Sequence, residues 1–351
     1  MNLKVGVVGA TGAVGSTILR VLEERAFPAS EVVPFASERS AGARVPFAGS
    51  QLECRALSMD AIDGLDLVLS SAGGAVSSEW APRFAAAGAV VVDNTSFWRM
   101  HEDVPLVVAE VNPEALDAHR GIVANPNCST MQMVVALAPL HRAVGIERII
   151  VSTYQSVSGT GRRAVAELSA QAHALLHEAE PPAPEVYPHP IAFNVLPQVE
   201  IFRDGDDYTT EERKLMAETR KILGVAEDNL GISATCVRVP VITGHSQSVN
   251  VQLRRSVAPE EARRILAAAA GVVVVDSPGE GLYPLATEAA GRDDVLVGRM
   301  RRDPSAERCL NIWVVADNLR KGAATNAVQL AELLVERDLV RVPAGAAAAS
   351  A

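Results

Sequence analysis

Short apolar runs alternate with helically spaced stretches through the first third of the chain. Leu3 to Val8 predicts a strand, Thr17 to Glu24 has helical spacing, and Glu31 to Phe35 predicts a second strand. Leu65 to Ser70 (LDLVLS) and Ala89 to Asp93 (AVVVD) read as two more strands, with a helix from Ser78 to Ala87 between them. Strand–helix alternation of this kind implies a parallel sheet covered on both faces.

From Arg148 the texture changes. RIIVSTYQSVSG, ATCVRVPVIT and SVNVQLRR are rich in β-branched residues, and GVVVVDSP and CLNIWVVADN add two further strands. Glu167 to Glu180 has helical spacing, and PPAPEVYPHP (181–190) carries too many prolines to be helical. Asn326 to Arg337 is an amphipathic helix expected to pack back on the first domain. The pattern predicts an α/β chain with a Rossmann-like first domain and an α+β second domain with a mixed sheet. One face of that sheet is available as a subunit interface. No internal repeat is visible.

The chain has 351 residues, enough for two domains, and its net charge of −10 disfavours nucleic acid or an anionic membrane as partner. No apolar run is long enough for a membrane span, and the start runs straight into a strand, so neither a membrane anchor nor a secretion leader is expected. Cys54, Cys128, Cys236 and Cys309 lie far apart without a CxxC pair. Their spacing disfavours a disulfide framework or a zinc site and fits a cytoplasmic protein.

Two stretches carry chemistry. The first is Gly9-Ala10-Thr11-Gly12-Ala13-Val14-Gly15, between the first strand and the first helix. Glycines there let the backbone turn tightly against a pyrophosphate, and the helix N-terminus meets its charge. The spacing is GxxGxxG, looser than the usual dinucleotide fingerprint. After the second strand, Arg39 between Ser37 and Ser40 favours a 2′-phosphate and so NADP, while Glu38 is a candidate ribose ligand of an NAD enzyme.

The second stretch is Asn125-Pro126-Asn127-Cys128-Ser129-Thr130, where a cysteine stands in a polar turn after the apolar run GIVA. Either Ser129 or Thr130 caps a helix beginning at Met131 with Cys128 incidental, or Cys128 is a nucleophile whose thiolate the helix N-terminus favours. Free amides there, with Asn127 beside them, would stabilise an oxyanion. Among the seven histidines, His173 and His177 stand four apart but lack the glutamate of a metalloprotease helix, and read as a solvated face. His245 sits between two predicted strands with Arg238 seven residues before it, as if on either side of a hairpin pointing into one pocket.

Together these motifs resemble the bacterial type of aspartate-semialdehyde dehydrogenase over nearly the whole chain. The likeness rests on GATGAVG (9–15), SERSAG (37–42), DNTSFWRM (93–100), NPNCST (125–130), QSVSGTG (155–161), AFNVLPQ (192–198), EERKLMAETRKIL (211–223), RVPVITGHSQSV (238–249) and DNLRKGAATNAVQ (317–329). Glu200 departs from it, standing where an aspartate is expected.

The resemblance implies NADPH-dependent reductive dephosphorylation of L-aspartyl 4-phosphate to L-aspartate 4-semialdehyde, an early step in making lysine, threonine, methionine and isoleucine. By resemblance, Cys128 is the acyl-enzyme nucleophile, Gln155 orients the carbonyl and His245 is the acid–base catalyst. Arg238 would hold the substrate carboxylate, Glu211 its amino group, and Arg99 and Lys214 the phosphate. Gly9, Thr11, Gly12, Ala13, Val14, Arg39, Ser40, Ser158, Gly159 and Asn318 would line the NADP site, and no metal is implied. The implied domains are 1–127 with 314–343 for the cofactor, 128–313 for catalysis and homodimerisation, and a flexible tail at 344–351. Two alternatives stand beside this: a related thioester-forming reductase such as malonyl-CoA reductase, and a non-catalytic NADP-binding sensor.

Overall fold

The structure, a computed structural model, describes residues 3–342, so the expected tail lies outside the described residues. Two compact units emerge, one of residues up to Asn127 together with those from Ala323 onward, the other Cys128–Gly322.

The first unit opens with β1 (Leu3–Val8), α1 (Ala13–Glu24) and β2 (Ala29–Ala36). A small hairpin of β3 (Arg44–Phe47) and β4 (Ser50–Glu53) follows, then β5 (Arg55–Ala56), the short α2 (Met59–Ile62) and β6 (Leu67–Ser70). The run ends with α3 (Gly74–Ala86), β7 (Val90–Asp93) and β8 (Ile122–Ala124). The main sheet has the order β5-β2-β1-β6-β7-β8 and every pair is parallel. Its central strands are apolar on both faces: Val5, Leu67 and Val90 on one, and Val8, Val68 and Val91 on the other, are all buried. The chain leaves β1 toward β2 on one side and reaches β6 on the other. The loops after β1 and β6 therefore flank a switch point, where such sheets bind their ligands.

The second unit runs α4 (Cys128–Val144), β9 (Ile146–Gln155), α5 (Arg162–Leu176), α6 (Thr210–Leu223), β10 (Gly231–Arg238) and β11 (His245–Leu253). It closes with α7 (Pro259–Ala267), β12 (Val272–Val274), the short α8 (Ala286–Ala289), β13 (Val295–Arg302) and β14 (Cys309–Ala316). The sheet is mixed, in the order β10-β9-β11-β14-β13-β12. Helix α4 is buried almost all round from Ser129 to Ala138, because it lies against the sheet with α6 and α7 beside it. The opposite face of the sheet is open: burial along β9 alternates, leaving Ile150 and Tyr154 exposed, and Tyr154 packs on Trp313 of β14.

After β14 the chain returns to the first unit in α9 (Thr325–Glu336), which packs on α1 and ties to it through Arg25 and Glu332. The return falls at Ala323, not at 314 as the sequence suggests. The reason is pairing: β14 is locked between β11 and β13 and cannot leave that sheet.

Three further expectations are corrected. Helix α4 begins at Cys128 itself, with Ser129 and Thr130 buried in its first turn instead of capping it. Helix α5 starts earlier than Glu167 and ends at Leu176. Arg238 and His245 do not flank a hairpin, because β9 is inserted between β10 and β11, parallel to one and antiparallel to the other.

Candidate active site

In the first unit the glycine turn is built from backbone. Gly9 has φ +82, a conformation a side chain would strain, and Gly12 donates its amide to Gly9 O at 2.9 Å. A Cβ at Gly15 would stand 2.1 Å from Gly9 O, so only glycine lets α1 start this close to β1. Gly12 caps α1 without a side-chain bond, and the first turn carries no acidic residue. The N-terminal amides of Ala13 and Val14, with Thr11 beside them, are thus left to an anion such as a pyrophosphate. Arg39 and Ser40 sit in a single turn just past β2, with Arg39 exposed. The donor set suits a dinucleotide with a 2′-phosphate.

Arg99 is nearly buried in the same unit. Its Nε donates to Asn125 O (3.0 Å) and its Nη2 to Asn94 O (2.7 Å). The loop carrying it is tied down by Asp93, whose carboxylate accepts from Thr95 N, Thr95 Oγ1 and Ser77 Oγ. Trp98 Nε1 donates to the same Ser77 hydroxyl. Burial pushes the Asp93 carboxyl up, against the pull of these hydrogen bonds. Asn125 is sealed from solvent: its Nδ2 donates to Asn94 Oδ1 and Ala323 O, and its Oδ1 accepts from Asn326 Nδ2. Asn127, next to Cys128, is buried as well.

In the second unit, register gathers the predicted residues. Arg238 pairs with Gln155, and Ser246 pairs with Tyr154, so Arg238, Gln155 and His245 end three neighbouring strands at one edge of the sheet. Helix α6 brings Glu211, fixed by a capping box in which Thr209 and Glu212 exchange backbone and side-chain bonds. Gln155 Nε2 donates to Glu211 Oε1 at 3.1 Å, and Thr153 Oγ1 donates to Gln155 Oε1. Lys214 Nζ lies 3.8 Å from Glu211 Oε2 and pairs more closely with Glu200, a residue held at φ +63. Arg238 Nη1 donates to Ser156 O at 2.7 Å, while its buried Nε has no hydrogen-bond partner.

His245 is fully buried. Its Nδ1 lies 3.0 Å from both Ser156 N and Ser156 Oγ, and its Nε2 has no partner. Desolvation, then the charge of Arg238, holds its pKa well below the usual histidine value. A Cβ at Gly159 would stand 3.1–3.3 Å from His245 Cε1, His245 Nε2 and Arg238 Nη1, a crowding that glycine avoids. Asn318 sits beneath: its Oδ1 accepts from Gly244 N, Ser156 Oγ and Ser158 Oγ, and its Nδ2 donates to Ser158 Oγ. Gln132 Nε2 on α4 donates to His245 O, and Gln247 Nε2 to Ser129 O, which lays the first turn of α4 along the start of β11.

Cys128 is the first residue of α4 and half-buried, whereas the other three cysteines are buried. Burial pushes the thiols of Cys54, Cys236 and Cys309 up and so keeps them inert. A Cβ at Gly322 would stand 2.9 Å from Cys128 Cβ.

Sequence reasoning missed Ser156, Gly322 and Asn125, although each lies inside a quoted motif. The rings of His173 and His177 lie 4.2 Å apart, tilted, on an exposed face, and among the described residues no three His, Cys, Asp or Glu side chains gather as a metal site.

Two family models match the chain, "Semialdehyde dehydrogenase, NAD binding domain" over residues 4–119 and "Semialdehyde dehydrogenase, dimerisation domain" over residues 137–321. A curated aspartate-semialdehyde dehydrogenase from Aquifex aeolicus is 52% identical over 97% of this chain and 100% of its own length. The solved structure of aspartate semialdehyde dehydrogenase II from Vibrio cholerae, complexed with ASA, superposes with a TM-score of 0.91 at 46% identity, covering 96% of this chain and 99% of that one. The enzyme from Candida albicans, solved with NADP, gives 0.74 at 26% identity, covering 96% and 99%.

Proposed function

The chain belongs to the aspartate-semialdehyde dehydrogenase family, and from that premise we propose that it reduces L-aspartyl 4-phosphate to L-aspartate 4-semialdehyde and phosphate with NADPH. The observation that carries this reading is the convergence of Gln155, Arg238, His245 and Glu211 in the unit whose helix α4 begins at Cys128. A small zwitterion with an acyl phosphate needs a carboxylate for its ammonium, a guanidinium for its carboxylate and cations for its phosphate.

The Cys128 thiolate, favoured at the α4 N-terminus, attacks the acyl carbon and displaces phosphate, leaving a thioester. Glu211, steadied by Gln155, receives the substrate ammonium, and the unpartnered Arg238 Nε receives its carboxylate. Arg99 and Lys214 hold the phosphate, and His245 serves the carbonyl oxygen as acid–base group. The bound NADPH supplies the hydride that reduces the thioester. The uncapped α1 N-terminus receives its pyrophosphate, Arg39 and Ser40 its 2′-phosphate, and Ser158, Gly159 and Asn318 complete its site.

The match to a dimerisation domain and the open β9–β14 face with Ile150 and Tyr154 support a homodimer formed through the second unit. The four cysteines form no disulfide, which suits a cytoplasmic enzyme, and among the described residues no helix is long and apolar enough to cross a membrane.

The deciding experiment follows nicotinamide absorbance with aspartate semialdehyde. Reduction of NADP⁺ should require inorganic phosphate, and coenzyme A should not replace it. Coenzyme A-dependent turnover without phosphate would point to an acyl-CoA reductase, and no turnover with either would leave a dinucleotide sensor.

A further inference from the structure

The layer between α4 and the sheet turns polar at one end. Along the inner face of β11, Val249, Val251 and Leu253 are fully buried, but that face begins with His245 and Gln247. Along α4, Met131, Met133, Val134 and Ala136 are sealed as well, and Gln132 stands among them, fully buried. The two glutamines are tied reciprocally. Gln132 Nε2 on the helix donates to His245 O on the strand at 3.2 Å, and Gln247 Nε2 on the strand donates to Ser129 O on the helix at 2.8 Å. A carbonyl oxygen can face only the N–H end of an amide, so neither side chain can turn over. One tie ends on His245 itself and the other on Ser129, the neighbour of Cys128. The other end of each amide is unused: Gln132 Oε1 and Gln247 Oε1 are buried and accept no hydrogen bond among the described residues. A half-satisfied amide pair is a poor way to stabilise a core that apolar side chains would fill. Apolar packing, however, is non-directional and lets a helix slide on a sheet, whereas a hydrogen bond fixes distance and angle.

We propose that Gln132 and Gln247 form a two-point clasp that sets the spacing of Cys128 and His245, and that both are positioning residues for the chemical step. The inference rests on the thioester reading above and deepens it. In that reading the nucleophile comes from a helix start and the acid–base group from a strand start, so their spacing depends on how the two elements are joined. A single contact would leave a pivot. Two bonds of opposite sense, from different residues of each element, resist both sliding and rotation of the helix start. Both side chains are sealed from solvent and reach neither substrate nor cofactor. The clasp therefore acts on the rate of the step between bound groups and leaves their binding alone.

Gln132→Met and Gln247→Met keep the length and bulk of each side chain and remove its N–H. With the full chain in excess over aspartate semialdehyde, the maximal rate of NADPH formation in one turnover should fall about 10–100-fold in each variant. Half-saturating concentrations of semialdehyde, phosphate and NADP⁺ should stay within about twofold. The double variant should be no more than about threefold slower than the slower single one, because both ties hold one spacing. Alkylation of Cys128 by iodoacetamide needs the thiolate but not the spacing, and should stay within about twofold of the wild-type rate. The thermal midpoint should move by no more than about 4 °C, since each change removes one hydrogen bond and one orphan acceptor together. Turnover within about twofold of wild type in both variants would overturn the clasp and leave the reaction itself standing. Losses that multiply in the double variant, or a fall in alkylation and thermal midpoint alongside the rate, would make the glutamines supports of the fold alone and overturn it equally.

Discussion

Two strand-to-helix turns are proposed above to carry the chemistry of this chain, and they solve the same geometrical problem by opposite means. After β1 the turn is backbone alone: Gly9 at positive φ, Gly12 capping α1 without a side chain, and Gly15 pressed against Gly9 O. After β8 the turn is held by side chains, with Asn125 bonded through both ends of its amide and Arg99 bound to its carbonyl. The first leaves its helix amides for a ligand's charge. The second puts Cys128, the proposed nucleophile, at the helix start. A turn that only binds anions can be made of glycine, whereas one that must aim a sulfur atom needs a scaffold that does not slip.

The largest effect expected from breaking this division is at the sulfur. Cys128→Ser should lower turnover roughly 10⁴-fold or more, the scale seen when a covalent nucleophile is removed. NADPH affinity, read by fluorescence titration, should stay within about twofold, since the change of one atom costs well under 1 kcal/mol there. Near-normal turnover would remove the thioester from the mechanism.

The mirror experiment is Gly15→Val. Its Cβ would fall inside Gly9 O, so the turn must open, at a cost of about 1–3 kcal/mol in fit. That corresponds to roughly 10–100-fold weaker NADPH binding. Alkylation of Cys128 by iodoacetamide should keep its wild-type rate in this variant. If both functions fell together, the two turns would not be separable.

The glycine turn was legible because it depends on residue type and spacing within one short window. The place of Cys128 was legible for a related reason: a thiol among Asn, Pro and Thr stands apart from the buried cysteines, and it lies half-buried at the start of α4. The position of its helix was not, because Ser129 and Thr130 look like caps, and only their burial shows them inside the first turn. The Arg238–His245 pair was found through a wrong picture. Both residues do reach one edge of a sheet, but β9, which precedes β10 by a long crossover, lies between their strands. Strand insertion of that kind is set by long-range pairing that local pattern does not encode. Ser156 escaped because its decisive group is a backbone amide, and any residue type supplies one.

A smaller effect would sharpen the contrast, because the side-chain turn also depends on one glycine. Gly322 lies on the far side of the sequence from Cys128, yet a Cβ there would press the cysteine Cβ at 2.9 Å. Gly322→Ala should therefore displace the sulfur by a few tenths of an ångström and lower kcat about tenfold while KM changes little, since misplacement penalises the chemical step more than binding. An equal rise in KM would assign Gly322 to the binding of substrate instead.

The smallest effect concerns Lys214, the proposed phosphate ligand, which Glu200 occupies. Lys214 Nζ pairs with Glu200, and Thr210 Oγ1 donates to the same carboxylate at 2.6 Å. A phosphate arriving at Lys214 must compete with that ion pair, whose partners are both partly exposed and whose worth is therefore about 0.2–1 kcal/mol. Glu200→Gln keeps the shape and the hydrogen bond to Thr210 but removes the charge. In the phosphorylating direction KM for inorganic phosphate should fall about two- to fivefold, with kcat and KM for the semialdehyde unchanged, and the gain should shrink as salt is raised. The opposite sign would be equally informative. A higher phosphate KM would mean that Glu200 holds the ammonium in the posture the phosphate requires, which would make Glu200 part of the side-chain scaffold and not a competitor to its ligand.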